Sequence, residues 1–189
     1  FLYLLSNGVP KDKIELWHHL IDGEGNNHFM DWPITTDYCK KFAAAFQVPI
    51  YFSWKEGGFL KEMLRNNEAT APTSFEFPTD EGDVECGLAG GQGNPGTRLK
   101  FPQVSSDLRV RWCSAYLKID VADKALNNQE RFLGKKTLVL TGERAEESPA
   151  RAKYKTFEPH RTDRRNGKRV KRYVDHLRPV HSWKEAQVW

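Results

Sequence analysis

The sequence predicts an α/β domain built on a mostly parallel sheet. Two apolar segments, "IELWHHLID" (residues 14–22) and "PIYFSW" (49–54), flank a stretch of helical period. A strand, a helix and a strand in that order make a βαβ unit with parallel strands. A third apolar run, "KKTLVLTG" (135–142), lies between two further segments that read as helices. Those alternations carry the prediction.

At 189 residues the chain is long enough to bury a core of its own. Its hydrophobic share of 39%, beside 29% charged residues, places it with soluble globular domains rather than disordered chains. No apolar run reaches the roughly 18–20 residues that cross a bilayer. The opening "FLYLLSNGVP" lacks the basic leader and small-residue cleavage site of a signal peptide. Cys39, Cys86 and Cys113 are widely spaced and odd in number, with no CxxC. That excludes a cysteine-built zinc site or iron–sulfur cluster in this stretch and points to a cytoplasmic location.

Taken in order, residues 1–8 read as the last turns of an amphipathic helix, stopped by Gly8 and Pro10. A helix with no start signal, and "WKEAQVW" (183–189) as a helix just begun, make both ends read as severed. "TTDYCKKFAAAFQVP" predicts a helix capped by Thr35 or Thr36. Its Cys39, Phe42, Ala43 and Phe46 form one apolar stripe, which makes Cys39 a core residue. Trp17, Trp54 and Trp112 likewise read as core rather than as base-stacking platforms.

Between about residues 55 and 104 the period is lost. The stretch is rich in Gly, Pro, Thr and Asp and is expected to be a long irregular insertion. "GGQGNPG" is no dinucleotide fingerprint, since no strand leads into it. Order returns with a predicted helix over "SSDLRVRWCSAYLKIDVADKAL" (105–126), capped by Ser106 or Asp107. "SPARAKYKTF" (148–157) reads as another helix. "RTDRRNGKRVKRYV" (161–174) reads as a hairpin turning at Asn166-Gly167, and "LRPVHSW" (177–183) as a last strand.

The run that stops at Thr141-Gly142 holds the first candidate site. In open α/β sheets, ligands bind beyond the carboxyl ends of the strands. Gly142 there would let a ligand approach the backbone. Ser148 as N-cap and Pro149 as first helical residue would open a helix whose free N–H groups favour an anion. Arg144 and Arg151 add fork-shaped donors suited to phosphate or sulfate. The alternative is that both arginines pair with Glu143, Glu146 and Glu147. On the 105–126 helix, Arg111 and Lys118 stand two turns apart, so both cations would project from one face.

These motifs in order resemble the phosphoadenosine phosphosulfate (PAPS) reductase family, within the adenine nucleotide alpha hydrolase (PP-loop) superfamily. The matching residues are Arg111, Cys113 and Lys118, then Gly142, Arg144, Ser148 and Arg151, then Pro179, Trp183, Val188 and Trp189. Asp22, at the end of "IELWHHLID", matches the strand end that faces the nucleotide. The resemblance spans most of the chain except the 55–104 insertion. It implies a single domain over residues 1–189, folded as a three-layer sandwich. It also implies an adenine nucleotide (PAPS, adenylyl sulfate or ATP) held by Asp22, Arg111, Lys118, Gly142, Arg144, Ser148 and Arg151, with Mg accompanying ATP. Two chemistries follow from it. One is sulfonucleotide reduction with thioredoxin as partner, and the other is ATP-dependent adenylation or sulfur transfer, as an oxidoreductase or a transferase of sulfur metabolism.

The chain departs from that pattern twice. The Ser-Gly-Gly-x-Asp-Ser loop of the superfamily is absent, and would lie just upstream of Phe1. "ECGL" (Glu85–Leu88) resembles the reductases' catalytic motif but precedes the Arg111 segment instead of ending the chain, so Cys86 reads as a loop cysteine. The catalytic residue is left unassigned.

A second class of function rests on charge alone. Arg164, Arg165, Lys168, Arg169, Lys171 and Arg172 crowd residues 160–178, against only Asp163 and Asp175. Such density suits a nucleic-acid backbone, with a solvated surface as the plain alternative. A third option is a nucleotide-sensing subunit without turnover, as a homodimer or within a larger assembly. His18 and His19 are adjacent in a strand and so point to opposite faces, and no histidine has metal-ligand spacing.

Overall fold

A computed structural model describes residues 1–189 apart from Asn26, Asn27, Ser106 and Trp189, and apart from the side chain of Val188. The chain divides into two compact units, Phe1–Asn128 and Gln129–Trp189. Both are α/β with mixed sheets.

The first unit opens with helix α1 (Leu2–Ser6), as its stop signals predict. Strand β1 (Leu16–Leu20), helix α2 (Thr35–Phe46) and strand β2 (Ile50–Lys55) form the expected βαβ unit, with β1 and β2 parallel and Leu16 opposite Ile50. The apolar stripe of α2 is its inward side, Ala43 fully buried and Cys39, Phe42 and Phe46 half-buried. No threonine caps the helix. Ile34 holds the N-cap position, and the Thr35 hydroxyl donates instead to Asp31 Oδ1 at 2.7 Å. Gln47, in the left-handed region (φ 54°), ends the helix, and the Val48 N–H reaches the Ala43 carbonyl.

The 55–104 stretch is more regular than its composition suggests. It holds helix α3 (Gly58–Met63) and the antiparallel strands β3 (Thr73–Pro78) and β4 (Val84–Ala89), which extend the sheet in the order β1-β2-β3-β4. Buried Glu62 fixes the returning chain. It accepts from Arg98 (Nε, 2.8 Å), Arg65 (Nε, 3.2 Å) and the Thr70 hydroxyl (2.9 Å). Cys86 therefore lies in an exposed edge strand, not in a loop.

The helix predicted from residue 105 begins seven residues later, as α4 (Trp112–Ser114), a π-helical segment (Ala115–Ile119) and α5 (Asp120–Asn127). Asp107 closes a separate turn, its carbonyl accepting from the Val110 and Arg111 N–H groups, and Arg111 (ψ 57°) breaks the run. Ser106, the other expected cap, lies outside the described residues. The core of this unit gathers Phe59, Trp112 and Leu117, with Trp112 stacked on Phe59 at 5.0 Å.

The second unit carries strands β5 (Lys136–Leu140), β6 (Phe157–Pro159) and β7 (Tyr173–Leu177) in the order β5-β7-β6. β5 and β7 are parallel, β6 and β7 antiparallel. The buried strand is "YVDHL", with Val174 and His176 inward; "LRPVHSW" is mostly turn. β5 is only half-covered, Leu138 being exposed. A short helix, α6 (Glu185–Val188), follows. Of the five strand pairings, two are parallel, so the expected mostly parallel sheet is realised in β1/β2 and β5/β7 only.

Candidate functional site

In the first unit one cluster of polar residues stands on β1 and the turn after it. Asp22 stands just past the carboxyl end of β1, where the backbone of Gly23 lies against Gly58. Its Oδ2 accepts from the N–H groups of Met30 (2.8 Å) and Asp31 (2.9 Å). Its Oδ1 is buried with no hydrogen-bond partner among the described residues. A buried carboxylate oxygen without a donor is costly, and such orphans mark places where a ligand or water completes the shell.

Asp31 continues the chain of contacts. Its Oδ1 accepts from Thr35 (2.7 Å) and from the Trp32 N–H (2.8 Å), leaving Oδ2 3.9 Å from His18 Nε2. His18 Nδ1 lies 3.7 Å from Cys39 Sγ on α2, and the His18 ring packs at 5.9 Å from Phe52. Burial holds the His18 pKa below the ordinary imidazole value, with Asp31 opposing and Lys118 adding to the shift. Burial also pushes the Cys39 thiol up, as does Asp31. His18 is therefore a neutral base beside a neutral thiol at pH 7. His19, on the opposite face as expected, meets Ser53 Oγ at 2.7 Å. Burial first, then His18 and Lys118, brings it down to about 4.

Lys118 is exposed on the π segment, and its charge bears on both histidines. Arg111 stands outside the helix proper. It is the N-cap of α4 and half-buried, and its Nε has no partner among the described residues. A helix boundary and a wider π turn lie between the two cations expected on one helical line.

In the second unit the predicted anion site keeps its glycine and loses its helix. Gly142 follows β5 with open space around it. Ser148 Oγ accepts from the Arg151 N–H at 3.2 Å, but only a single 3₁₀ turn follows (Arg151–Lys153). Arg144 Nε meets Glu146 at 3.2 Å, and Arg151 pairs with Glu147. Glu143 turns away to Arg178 (2.7 Å) and Thr141 (3.1 Å). Thr141 in turn meets His176 Nε2 at 2.8 Å, and His176 packs edge-to-face on His160 at 5.3 Å. The alternative pairing of the arginines holds for Glu146 and Glu147, not for Glu143.

The basic segment connects β6 to β7 as a long loop rather than a close hairpin. Its tight turn runs from Arg164 to Gly167, the Gly167 N–H donating to the Arg164 carbonyl at 2.9 Å. The six candidate cations divide. Arg165 pairs with Asp163 and Asp175, and Arg172 is buried. Arg164, Lys168, Arg169 and Lys171 are exposed.

Among the described residues no group of three or more His, Cys, Asp or Glu is placed to hold a metal ion, and no helix is long and apolar enough to cross a membrane. Compared with protein-family models, with curated proteins and with solved structures, the chain matches none. The sequence names Asp22 and Lys118 as candidates; it does not single out His18, Asp31 or Cys39 as a cluster. Their one signal was the βαβ pattern, which sets α2 against β1.

Proposed function

We propose that the chain binds an adenine nucleotide (PAPS, adenylyl sulfate or ATP) in the manner of the PAPS reductase family, on a three-layer α/β sandwich. The observation that carries this reading is the orphaned Asp22 Oδ1 at the carboxyl end of a parallel strand. A ribose hydroxyl or an adenine amino group is the donor it needs. In the second unit, the open Gly142 and the arginines Arg144 and Arg151 support anion binding. The glutamates on those arginines are weak competitors, because a partly exposed ion pair is worth only about 0–1 kcal/mol. A polyanionic ligand offers each fork more. With a sulfonucleotide the chemistry is reduction, a thioredoxin-class dithiol resolving the intermediate; with ATP and Mg it is adenylation.

Calorimetric titration with PAPS and separately with MgATP tests the reading. Binding near micromolar is expected, weakened about tenfold or more by Asp22→Asn, the worth of a hydrogen bond to a charged group. Absence of heat with either nucleotide removes the proposal.

A second reading, nucleic-acid binding, is favoured by Lys168, Arg169 and Lys171, which are exposed and make no ion pair with a described residue. Its mark is affinity for DNA falling with salt at a slope near one per neutralised phosphate.

A further inference from the structure

We infer that Cys39 and His18 form a nucleophilic thiol–imidazole pair, oriented by Asp31 and directed at anionic electrophiles. The geometry is that of a Cys-His-Asp arrangement assembled from three separate pieces of the first unit. Sγ faces Nδ1 at 3.7 Å, and the opposite ring nitrogen faces a carboxylate at 3.9 Å. Such contacts lengthen in unliganded sites and tighten when a reactant is held. Asp31 Oδ2 faces Nε2 from beyond hydrogen-bond reach, and Nε2 is buried with no hydrogen-bond partner among the described residues. The pair requires the tautomer with the proton on Nε2, which leaves Nδ1 to accept from the thiol. Asp31 is itself fixed by Thr35 and Trp32, so Oδ2 is the oxygen left for His18.

The site is reachable. Cys39 is half-buried, and the His18 and Asp31 side chains keep about a quarter of their surface open (26% and 25%). In the reaction, Sγ bonds the electrophilic atom while its proton passes to Nδ1. The bond to the leaving group breaks, and that group departs with the electron pair. His18 then returns the proton to water. Exposed Lys118, whose charge already bears on His18, selects electrophiles that carry negative charge. The other groups around His18 are His19 beside it on β1, Phe52 on β2, and Lys40 of α2 over the Phe52 ring. None of them replaces Nδ1 as the base. The inference stands whether or not a nucleotide binds.

Alkylation of the whole chain by iodoacetate and by iodoacetamide, read cysteine by cysteine by peptide mass mapping, tests it. Cys86, exposed on the edge strand, is the internal reference. At neutral pH Cys39 should react at least about tenfold faster than Cys86, as general-base assistance provides. Its rate should rise with pH through a value below the ordinary imidazole pKa of about 6.5, not with the thiol near 8.5. His18→Gln should remove both features. Lys118→Gln, a surface change that leaves the core intact, should lower the preference for iodoacetate by about two- to fivefold. The wild-type profile needs no variant, so misfolding of His18→Gln cannot shield the inference. A Cys39 rate no greater than that of Cys86, or a profile that follows the free thiol, overturns the pair. An unchanged iodoacetate preference in Lys118→Gln overturns the anionic selectivity.

Discussion

Asp120→Asn should destabilise the first unit, because it strands a buried charge. Lys55 closes β2, and its side chain is fully buried. Its Nζ lies 2.8 Å from Asp120 Oδ2, which also accepts from Lys124 at 2.7 Å, with the Ala71 carbonyl more distant at 3.5 Å. Burial pushes the Lys55 ammonium below its ordinary pKa. Burial also raises the Asp120 carboxyl, but the hydrogen bonds from Lys124 and Lys55 outweigh it and leave that pKa below the ordinary value. At 2.8 Å the Coulomb attraction is between about 1.5 and 6 kcal/mol, for effective dielectric constants of about 80 and 20. Removing one partner of a buried pair costs about 3–5 kcal/mol. Because the Asp120 side chain is 37% exposed, the lower end applies, about 3 kcal/mol. At roughly 2–4 °C per kcal/mol, the melting temperature should fall by about 6–12 °C. Lys55→Met should cost less, since the carboxylate it leaves behind keeps Lys124 at 2.7 Å and is 37% exposed, so no charge is stranded in the core. Adding Asp120→Asn to Lys55→Met should then cost under about 1 kcal/mol. Urea melts of the four proteins close the cycle. Equal costs of Asp120→Asn with and without Lys55 would refute the reasoning. The sign with pH is fixed too. A carboxyl with a depressed folded pKa contributes its stability above the ordinary value and loses it as pH falls through the folded one.

Two further outcomes rest on the same geometry. Gly58 has φ +56° and its missing Cβ would collide with the Asp22 carbonyl, so Gly58→Ala should displace Asp22 and cost more than about 2 kcal/mol, read from urea midpoints beside the neutral control Gly142→Ala. In the second unit, burial first and neighbouring cations next bring His160 and His176 down to about 4. Stability is full above the ordinary value of about 6.5 and falls as pH drops towards 4, with a slope approaching two protons, about 2.7 kcal/mol per pH unit. Hydrogen exchange at the Val174 amide should accelerate over that window, and constant protection would contradict it.

What could be read from sequence was whatever a local period encodes. The stripe of α2 and the two strands beside it are cooperative over many residues, and they form where expected. The helix at Ser148 failed for the matching reason. Its start signals are present, but "SPARAKYKTF" offers only Tyr154 and Phe157 as large apolar residues, and both are exposed. Without an apolar face to bury, one turn forms and stops. The β3/β4 hairpin escaped because β4 is an exposed edge strand, with Val84 and Leu88 outward and Gly87 under the Phe75 ring, so alternation marks no buried face. Arg111 and Lys118 keep helical spacing in sequence, but Arg111 precedes the first helical residue. Spacing alone cannot reveal that boundary.

The same limit explains why the polar cluster of the first unit was invisible beforehand. Cys39 is part of an apolar stripe, and on that evidence a core residue. His18 and His19 alternate in a strand, which argues against a shared ligand. Neither inference is wrong about direction. His18 and His19 do diverge, one to Cys39 and the other to Ser53. What pattern cannot supply is the turn that brings Asp31 back over β1. That turn is held by Asp22, whose Oδ2 takes the Met30 and Asp31 N–H groups. The residue that lacks a donor on one oxygen among the described residues thus positions, through the other, the carboxylate that faces His18. A ligand that satisfied Asp22 Oδ1 would draw on a carboxylate already holding the Asp31 backbone. Were a ligand to occupy the strand end, one side chain, Asp22, would connect it to the backbone that carries Asp31 towards His18.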